Sequence, residues 1–345
     1  MTGMKGGLWR IVVGCLLLLL GPPLALALFV CVMALLNGRT GAPTDYAHST
    51  ALANPPPPLA EPLTLKLVTW NIADAYLFTG NRRERMIGVA QKLIELDPDI
   101  VGIQESFIRK DRELLIERLK PTRLRHHAIY PAATVGNGLL ILSAYPIREV
   151  FFHRFAQSNP WYKLWEGDWW AGKGVGLARI ELPCGAMVDF YNTHAQAGRG
   201  HPTGYREVRS VQMAGLARFM NETKSASGLA FVAGDFNTRL GRPDMQIAID
   251  RAQLERLMTI DSAIDHIFGA ADPRYRFETL ETVIIEGTVQ GSRPVFFLSR
   301  APTPREMLGQ FIGPGEMTPL SDHPGYMSTI RISPVATHKE EHNGA

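Results

Sequence analysis

The chain has 345 residues, 46% of them hydrophobic and 20% charged, with a formal net charge of +3. That length holds one large domain or two ordinary ones, and so mild a charge does not support a nucleic-acid-binding class, which shows clustered Lys and Arg. Of three cysteines, Cys15 and Cys31 lie in an N-terminal apolar stretch; Cys184 alone in the body excludes an intrachain disulfide there, and the missing Cys and His spacings exclude structural zinc.

Residues 1–10 carry Lys5 and Arg10, and residues 11–36 are free of charge and mostly aliphatic. A span this long crosses a bilayer core. A retained anchor is favoured because apolar residues continue through Leu36. The competing reading is a cleaved signal peptide, with Ala25-Leu26-Ala27 as its small-residue pattern, and Pro22-Pro23 would kink a membrane helix. After Arg39 no Lys or Arg appears until Lys66. The positive-inside rule then expects a single-pass membrane protein, N-terminus inside and body on the exported (periplasmic or extracellular/lumenal) side. Residues 37–62, with Pro55 to Pro58 and few large apolar side chains, are expected as an extended linker. The folded body is placed at 63–334 and a polar tail at 335–345.

Within the body, short apolar runs predict strands at Leu65–Trp70, Ile100–Gln104, Gly138–Ser143, Arg148–Phe155, Gly174–Glu181, Ala186–Tyr191 and Gly228–Ala233. Later ones fall near Glu281–Glu286, Pro294–Leu298 and Gly325–Ile330. Gly138–Ser143 and Arg148–Phe155 read as strands joined at Tyr145-Pro146, and the next two as a pair turning at Pro183-Cys184-Gly185. Arg82–Leu96 places Met86, Val89, Ala90, Leu93 and Ile94 at helical spacing, with Asp97-Pro98 as a stop; Asp111–Leu119 and Tyr205–Met220 also read as helices. Strands and helices so mixed predict a layered α/β or α+β domain.

Several of these strands end in polar residues: Asn71, Glu105, Asn192-Thr193-His194, Asp235 and Asn237, with Asp322-His323 before the last strand. Strand-end loops held by a rigid sheet are where α/β proteins place their sites. Carboxylate and amide oxygens are hard ligands suited to Mg²⁺, and two histidines add acid–base capacity near neutral pH. Each residue alone has a bland reading, as a turn or a solvated strand end; the series favours a site.

Thr69-Trp70-Asn71, Ile103-Gln104-Glu105, Asn192-Thr193-His194, Gly234-Asp235-Phe236-Asn237 and Ser321-Asp322-His323, in that order, resemble the endonuclease/exonuclease/phosphatase superfamily, the DNase I-like fold. The resemblance covers nearly all of residues 64–331 and implies a two-sheet α/β sandwich with a metal-dependent phosphoester-cleaving site. A narrower resemblance, to the neutral sphingomyelinases, rests on Gly167-Asp168-Trp169-Trp170-Ala171-Gly172-Lys173-Gly174, on Asn192 to Ala197, on Arg206 and Gln212, and on Pro319 to His323. It implies Mg²⁺ (Mn²⁺ as the alternative) held by Glu105, Asn71 and Asp322. His323 is then the general base, Asp265 its orienting carboxylate, and Asp235 and Asn237 position water and a phosphoryl oxygen. His194 is a donor to the phosphate, and Asp168 with Lys173 forms a conformational switch at the substrate. Asp168 and Lys173 could equally form an exposed ion pair of little worth, and Asp261 competes with Asp265 for its role. His266, His126, His127, His153 and His201 read as ordinary histidines.

The implied activity is a phospholipase C-type cut of sphingomyelin or a related choline phospholipid at a membrane surface, giving phosphocholine and a lipid alcohol. No protein partner is expected. The alternative is an exported metal-dependent endonuclease or phosphatase on the same fold, the one reading with a nucleic-acid partner, to which Arg199, Arg206 and Arg209 would contribute. A non-catalytic binding domain is a third reading, disfavoured because it needs no general base. Trp161, Tyr162, Trp165, Trp169 and Trp170 include four of the six tryptophans. They fit a local core under a long loop and a lipid-facing lip equally well.

Overall fold

The computed structural model describes residues 3–37, 44–75, 80–132, 135–160, 162–163, 167–198, 203–261, 263–292, 295–297, 310–313 and 315–335. Trp161, Trp165, Arg199, His201 and most of the polar tail lie outside the described residues, as do the ends of the strand expected at Pro294–Leu298, described at Val295–Phe297.

The first element is a helix, α1 (Gly3–Asn37), with Pro22 and Pro23 inside it. Its Gly14–Met33 stretch is long and apolar enough to cross a membrane and is not buried against the domain. A signal sequence has the same form. Then come α2 (Thr50–Ala53), β1 (Leu63–Asp74), α3 (Arg82–Leu96), β2 (Ile100–Ser106), α4 (Arg109–Leu119), β3 (His126–Ile129), β4 (Leu140–Ser143) and β5 (Ile147–Arg154). These are followed by α5 (Asp168–Ala171), β6 (Gly174–Glu181), β7 (Met187–His194), α6 (Arg206–Thr223), β8 (Leu229–Asp235), α7 (Pro243–Ala252), β9 (Leu254–Arg256) and β10 (Asp265–Ala270). Last come β11 (Tyr275–Ile285), β12 (Thr288–Gln290), β13 (Val295–Phe297), β14 (Gln310–Ile312), β15 (Met317–Pro319) and β16 (Gly325–Pro334).

Two six-stranded sheets run in the orders β11-β16-β1-β2-β4-β3 and β5-β6-β7-β8-β10-β9. They face each other across a core that includes Leu65, Leu67, Ile100, Phe152, Val188, Phe190, Phe231, Ile267 and Ile330. The outer face of the first sheet, with Val68, Trp70, Val101 and Ile103, packs on Met86, Val89 and Leu93 of α3 and Leu115 of α4. The outer face of the second, with Tyr191, Val232 and Phe268, packs on Met213, Leu216 and Met245 of α6 and α7. Four layers, helix–sheet–sheet–helix, explain why the central strands read as continuous apolar runs rather than alternating ones: both faces are covered.

Two of the connections differ from the sequence reading. β4 and β5 are not paired: Tyr145-Pro146 carries the chain from one sheet to the other. Nor does the proline-rich stretch hang clear of the domain. Tyr46 packs edge-on against Phe151 and Phe219, with ring centroids 6.4 and 5.9 Å away. Ser49 Oγ donates to Glu149 at 2.7 Å, and the Leu59 N–H donates to Tyr275 OH at 2.8 Å with the Leu59 side chain buried. A domain beginning at Leu63 therefore melts below one beginning at Thr44. The contacts of Tyr46 and Leu59 are worth about 3–5 kcal/mol, or on the order of 10 °C for a domain of this size. Thermal denaturation of the two domains followed by circular dichroism checks this; equal midpoints would mean that the segment rests on the surface without holding it.

Candidate active site

The site follows from strand periodicity. Successive side chains alternate faces, and on five central strands the face that fills the inter-sheet core turns polar towards one end. On β1 the sequence Leu65, Leu67 gives way to Thr69 and Asn71. On β2 Ile100 gives way to Gln104, and on β7 Val188 and Phe190 give way to Asn192 and His194. On β8 Leu229, Phe231 and Ala233 lead to Asp235, and on β10 Ile267 is preceded by Asp265. In the parallel register Asn71 lies beside Gln104 and His194 beside Asp235, while Asp265 lies opposite Asp235. All of these polar ends gather at one rim of the sandwich.

Glu105 breaks the pattern. Strict alternation would send it outward with Val101 and Ile103. It sits instead in the left-handed region at φ 58, which turns its carboxylate inward to accept from Asn71 Nδ2 at 2.8 Å. A non-glycine residue held there costs on the order of 1–3 kcal/mol and persists where the surroundings over-determine it. Asn237, at φ 51, is the second such residue in the site. Its N–H donates to Asp235 Oδ1 at 2.9 Å, and its side-chain amide donates to Ala195 O at 3.0 Å rather than standing free over the cleft.

Asp235 Oδ2 is the centre of the arrangement. It accepts from Asn71 Nδ2 at 3.1 Å and lies 3.7 Å from His194 Nε2 and 3.7 Å from His323 Nε2. His323 Nδ1 is 3.0 Å from Asp265 Oδ2, so Asp265 fixes the ring and turns Nε2 towards Asp235. Asp322 Oδ1 lies 3.6 Å from the same Nε2. Asp261, the competing carboxylate, is 89% exposed and pairs with Arg256.

His194 Nε2 also lies 3.9 Å from Glu105 Oε1 and 3.0 Å from Lys173 Nζ. An ammonium has only protons to offer, so the imidazole accepts there. Lys173 is 3% exposed; it donates to Ala195 O at 2.6 Å and pairs with Asp168 at 2.9 Å. Asp168 in turn accepts from Gln196 Nε2 and the Ala197 N–H. The exposed-pair alternative for Asp168 and Lys173 is thus corrected: the pair is buried beside His194. Trp169 and Trp170, between them in sequence, are half-buried with ring centroids 4.8 Å apart, and Tyr162 is 58% exposed.

Four carboxylates, Glu105, Asp235, Asp265 and Asp322, share this ground with two histidines. Three ligand atoms, from Asp235, Asp265 and His323, fall within 4.8 Å of one another. Such a hard-oxygen set fits a divalent cation, which relieves the repulsion among the carboxylates. Asn71 Oδ1 accepts from the Ala73 N–H at 3.0 Å, so here the amide presents its hydrogens, not its oxygen, to Glu105 and Asp235.

Beneath the rim the two sheets are clasped by amides. Gln104 Nε2 donates to Asn192 Oδ1 at 2.7 Å, and Asn192 Nδ2 donates to Ile103 O and Leu140 O. Gly102 makes room: a Cβ there would sit 3.1 Å from the Asn192 side chain. Sequence reasoning quoted Gln104, Asn192, Gln196 and Gln212 only as parts of motifs. Gln212 Oε1 accepts from the Gln196 N–H at 2.8 Å, tying α6 to the segment under Asp168. Arg85 is fully buried, where an arginine on an amphipathic helix reads as its solvated face.

His266, read as ordinary, is buried with Nε2 donating to Thr238 O at 2.9 Å among Phe236 and Phe268. Burial pulls its pKa down to about 4. A folded value below the unfolded one means stability is present above about pH 6.5 and is lost as pH falls towards 4, by about 3 kcal/mol at full titration. Urea unfolding at pH 7 and pH 4.5 should show a smaller pH difference in His266→Gln than in the parent. An identical difference in both would assign the acid sensitivity elsewhere.

A model of the endonuclease/exonuclease/phosphatase family matches residues 68–323. A putative neutral sphingomyelinase of Drosophila melanogaster is 34% identical over 178 residues, which are 51% of this chain and 40% of that protein. An inositol phosphosphingolipids phospholipase C of Schizosaccharomyces pombe is 30% identical over 175 residues, 50% of this chain and 41% of that one. The chain thus spans less than half the length of these relatives. A crystal structure of a mutant beta toxin from Staphylococcus aureus with bound magnesium ions superimposes with a TM-score of 0.58 at 16% identity, covering 77% of this chain and 99% of that one; that likeness is one of fold.

Proposed function

The chain belongs to the endonuclease/exonuclease/phosphatase family, and from that premise we propose that it is a metal-dependent phosphodiesterase making a phospholipase C-type cut in sphingomyelin or a related choline phospholipid. The single observation that carries the reading is the convergence on Asp235 Oδ2 of Asn71, His194 and a His323 whose other nitrogen is held by Asp265. An imidazole oriented by one carboxylate and lying beside a second is the arrangement a general base requires.

Glu105 and Asn71, with Asp322 nearby, are the residues proposed to hold Mg²⁺, or Mn²⁺. When bound there, the cation supplies charge neutralisation at the phosphoryl oxygens and the leaving oxygen. His323 Nε2 takes the proton of the attacking water, and Asp265 stabilises the imidazolium that results. Asp235 orients that water, and Asn237 fixes the Ala195 carbonyl and the Asp235 carboxylate around it. Once Lys173 Nζ moves off Nε2, His194 takes up a proton there from solvent and donates it to the phosphate or the leaving oxygen, so the Asp168–Lys173 pair is proposed to switch the site between an occupied and a working arrangement. The membrane supplies the substrate. α1 is proposed to anchor the domain, N-terminus inside and domain exported, on the basis of Lys5 and Arg10 before the span.

The names of the curated relatives support a sphingolipid over a nucleic acid. So does Arg209, which is buried against Asp244 at 2.8 Å and not available to a phosphate backbone. The test is a substrate panel on vesicles of sphingomyelin, lysophosphatidylcholine and inositol phosphoceramide, and on plasmid DNA, with Mg²⁺ and with EDTA. Phosphocholine release that EDTA abolishes is the expected result; cleavage of DNA alone would move the chain to the nuclease alternative.

A further inference from the structure

Arg85, on α3, is 0% exposed. Its Nε and Nη2 donate to Leu320 O at 3.0 and 2.8 Å, its Nη1 and Nη2 to Ala73 O at 3.2 Å, and its Nη2 also to Ile72 O. Ser321 Oγ donates to Asn71 O at 2.6 Å. The carbonyls of Asn71, Ile72 and Ala73 are thus all taken by two side chains. The reason lies in the strand. Its pairing with β2 is regular to Asn71 and resumes only at Asp74, its pairing with β16 stops at Thr69, and Ala73 is left-handed at φ 46. Outside the ladder and buried, each carbonyl left without a donor would cost about 1–3 kcal/mol. One planar guanidinium serves two segments far apart in sequence, as a point-charge ammonium does not.

Those two segments carry the two halves of the site. One leads from Asn71, which is bonded to Glu105; the other leads from Leu320 into Asp322 and His323. Burying a cation is expensive by several kcal/mol, and packing alone would be better served by an apolar side chain. Asp74 in its ionised form, its pKa pushed up to about 7 by burial, and then Asp322, Glu105 and Asp111 bring negative charge near the guanidinium that offsets part of that expense.

We propose that Arg85 is a positioning residue that sets the separation between the cation-holding pair Asn71–Glu105 and the base His323. This rests on the active-site assignment above, and it requires no contact between Arg85 and substrate.

The test compares Arg85→Lys and Ser321→Ala with Val89→Ala, a cavity variant of the same helix packed in the same core. Each is assayed well below its own melting midpoint. Mn²⁺ affinity is read by calorimetric titration without substrate, and kcat and KM on the substrate found active for the parent. Arg85→Lys is expected to weaken Mn²⁺ binding about tenfold and to lower kcat about 10–100-fold with KM within about twofold, as a misplacement of about 1 Å in a preorganised site does. Ser321→Ala, which removes one of the three carbonyl contacts, should move both quantities in the same direction by less. Val89→Ala should lose stability and leave both unchanged. Should Arg85→Lys fail to fold, Arg85→Gln, which keeps a planar amide donor for part of the same carbonyl set, is read in its place. Parent-like Mn²⁺ affinity and kcat in a folded Arg85→Lys or Arg85→Gln, or equal losses in Val89→Ala, would overturn the proposal. A parent chain that binds Mn²⁺ yet cleaves no phosphodiester would sink the functional reading instead.

Discussion

Replacing His323 by alanine is expected to lower kcat for phospholipid hydrolysis by about 10³-fold while leaving KM and Mn²⁺ affinity close to the parent values. General base catalysis by a positioned imidazole contributes about 10²–10⁴-fold. On the proposed assignment His323 falls in the upper part of that range, because Asp265 Oδ2 at 3.0 Å holds the tautomer and orientation. The effect should fall on kcat, since the proton is transferred in the transition state and not on binding. Asp265→Asn should produce a smaller loss of the same kind. His323→Ala is expected to fold, because His323 stands in the segment before β16, at the polar end of the strands. Unchanged kcat in His323→Ala would transfer the base role elsewhere in the cluster, with His194 the first candidate.

The second large effect belongs to Glu105→Gln. On the proposed assignment it removes the anionic ligand of the divalent cation, which supplies several kcal/mol of transition-state charge stabilisation; a loss of about 4 kcal/mol is about 10³-fold in rate. Mn²⁺ affinity measured by calorimetry should fall with it. Stability should change little: a neutral amide at Glu105 relieves repulsion with the neighbouring carboxylates but gives up its attraction to the buried Arg85 guanidinium, so the metal-free melting midpoint should stay close to the parent's. A fall in activity with unaltered Mn²⁺ affinity would place the cation on Asp235, Asp265 and His323, the other close donor group.

Much of the site could be read from the sequence because strand alternation is local. Once Leu65 and Leu67, or Phe231 and Ala233, are taken as inward-facing, Asn71 and Asp235 fall on the same face by counting in twos. Glu105 escapes such counting, since its inward turn depends on a left-handed φ that nothing in Ile-Gln-Glu-Ser specifies. β10 and α7 were not predicted. Ile267-Phe268 is too short an apolar run between Asp265 and Gly269 to declare a strand, and the Pro243-Asp244 start of α7 is masked by the polar residues before it. Partnerships set by tertiary packing were out of reach altogether. The crossing of Tyr145-Pro146 between sheets, the docking of Tyr46 and Leu59, and the service of Arg85 to three carbonyls each depend on residues far away in the chain.

Hydrolysis of sphingomyelin vesicles by the domain from Thr44 onward, run in ¹⁸O-enriched water with Mg²⁺, probes the chemistry at its reacting bond. Water activated at His323 and directed at phosphorus puts the label in phosphocholine and none in the lipid alcohol. Label in the lipid alcohol, or phosphocholine release that persists at full rate in EDTA, would contradict a cation-assisted attack of water on phosphorus.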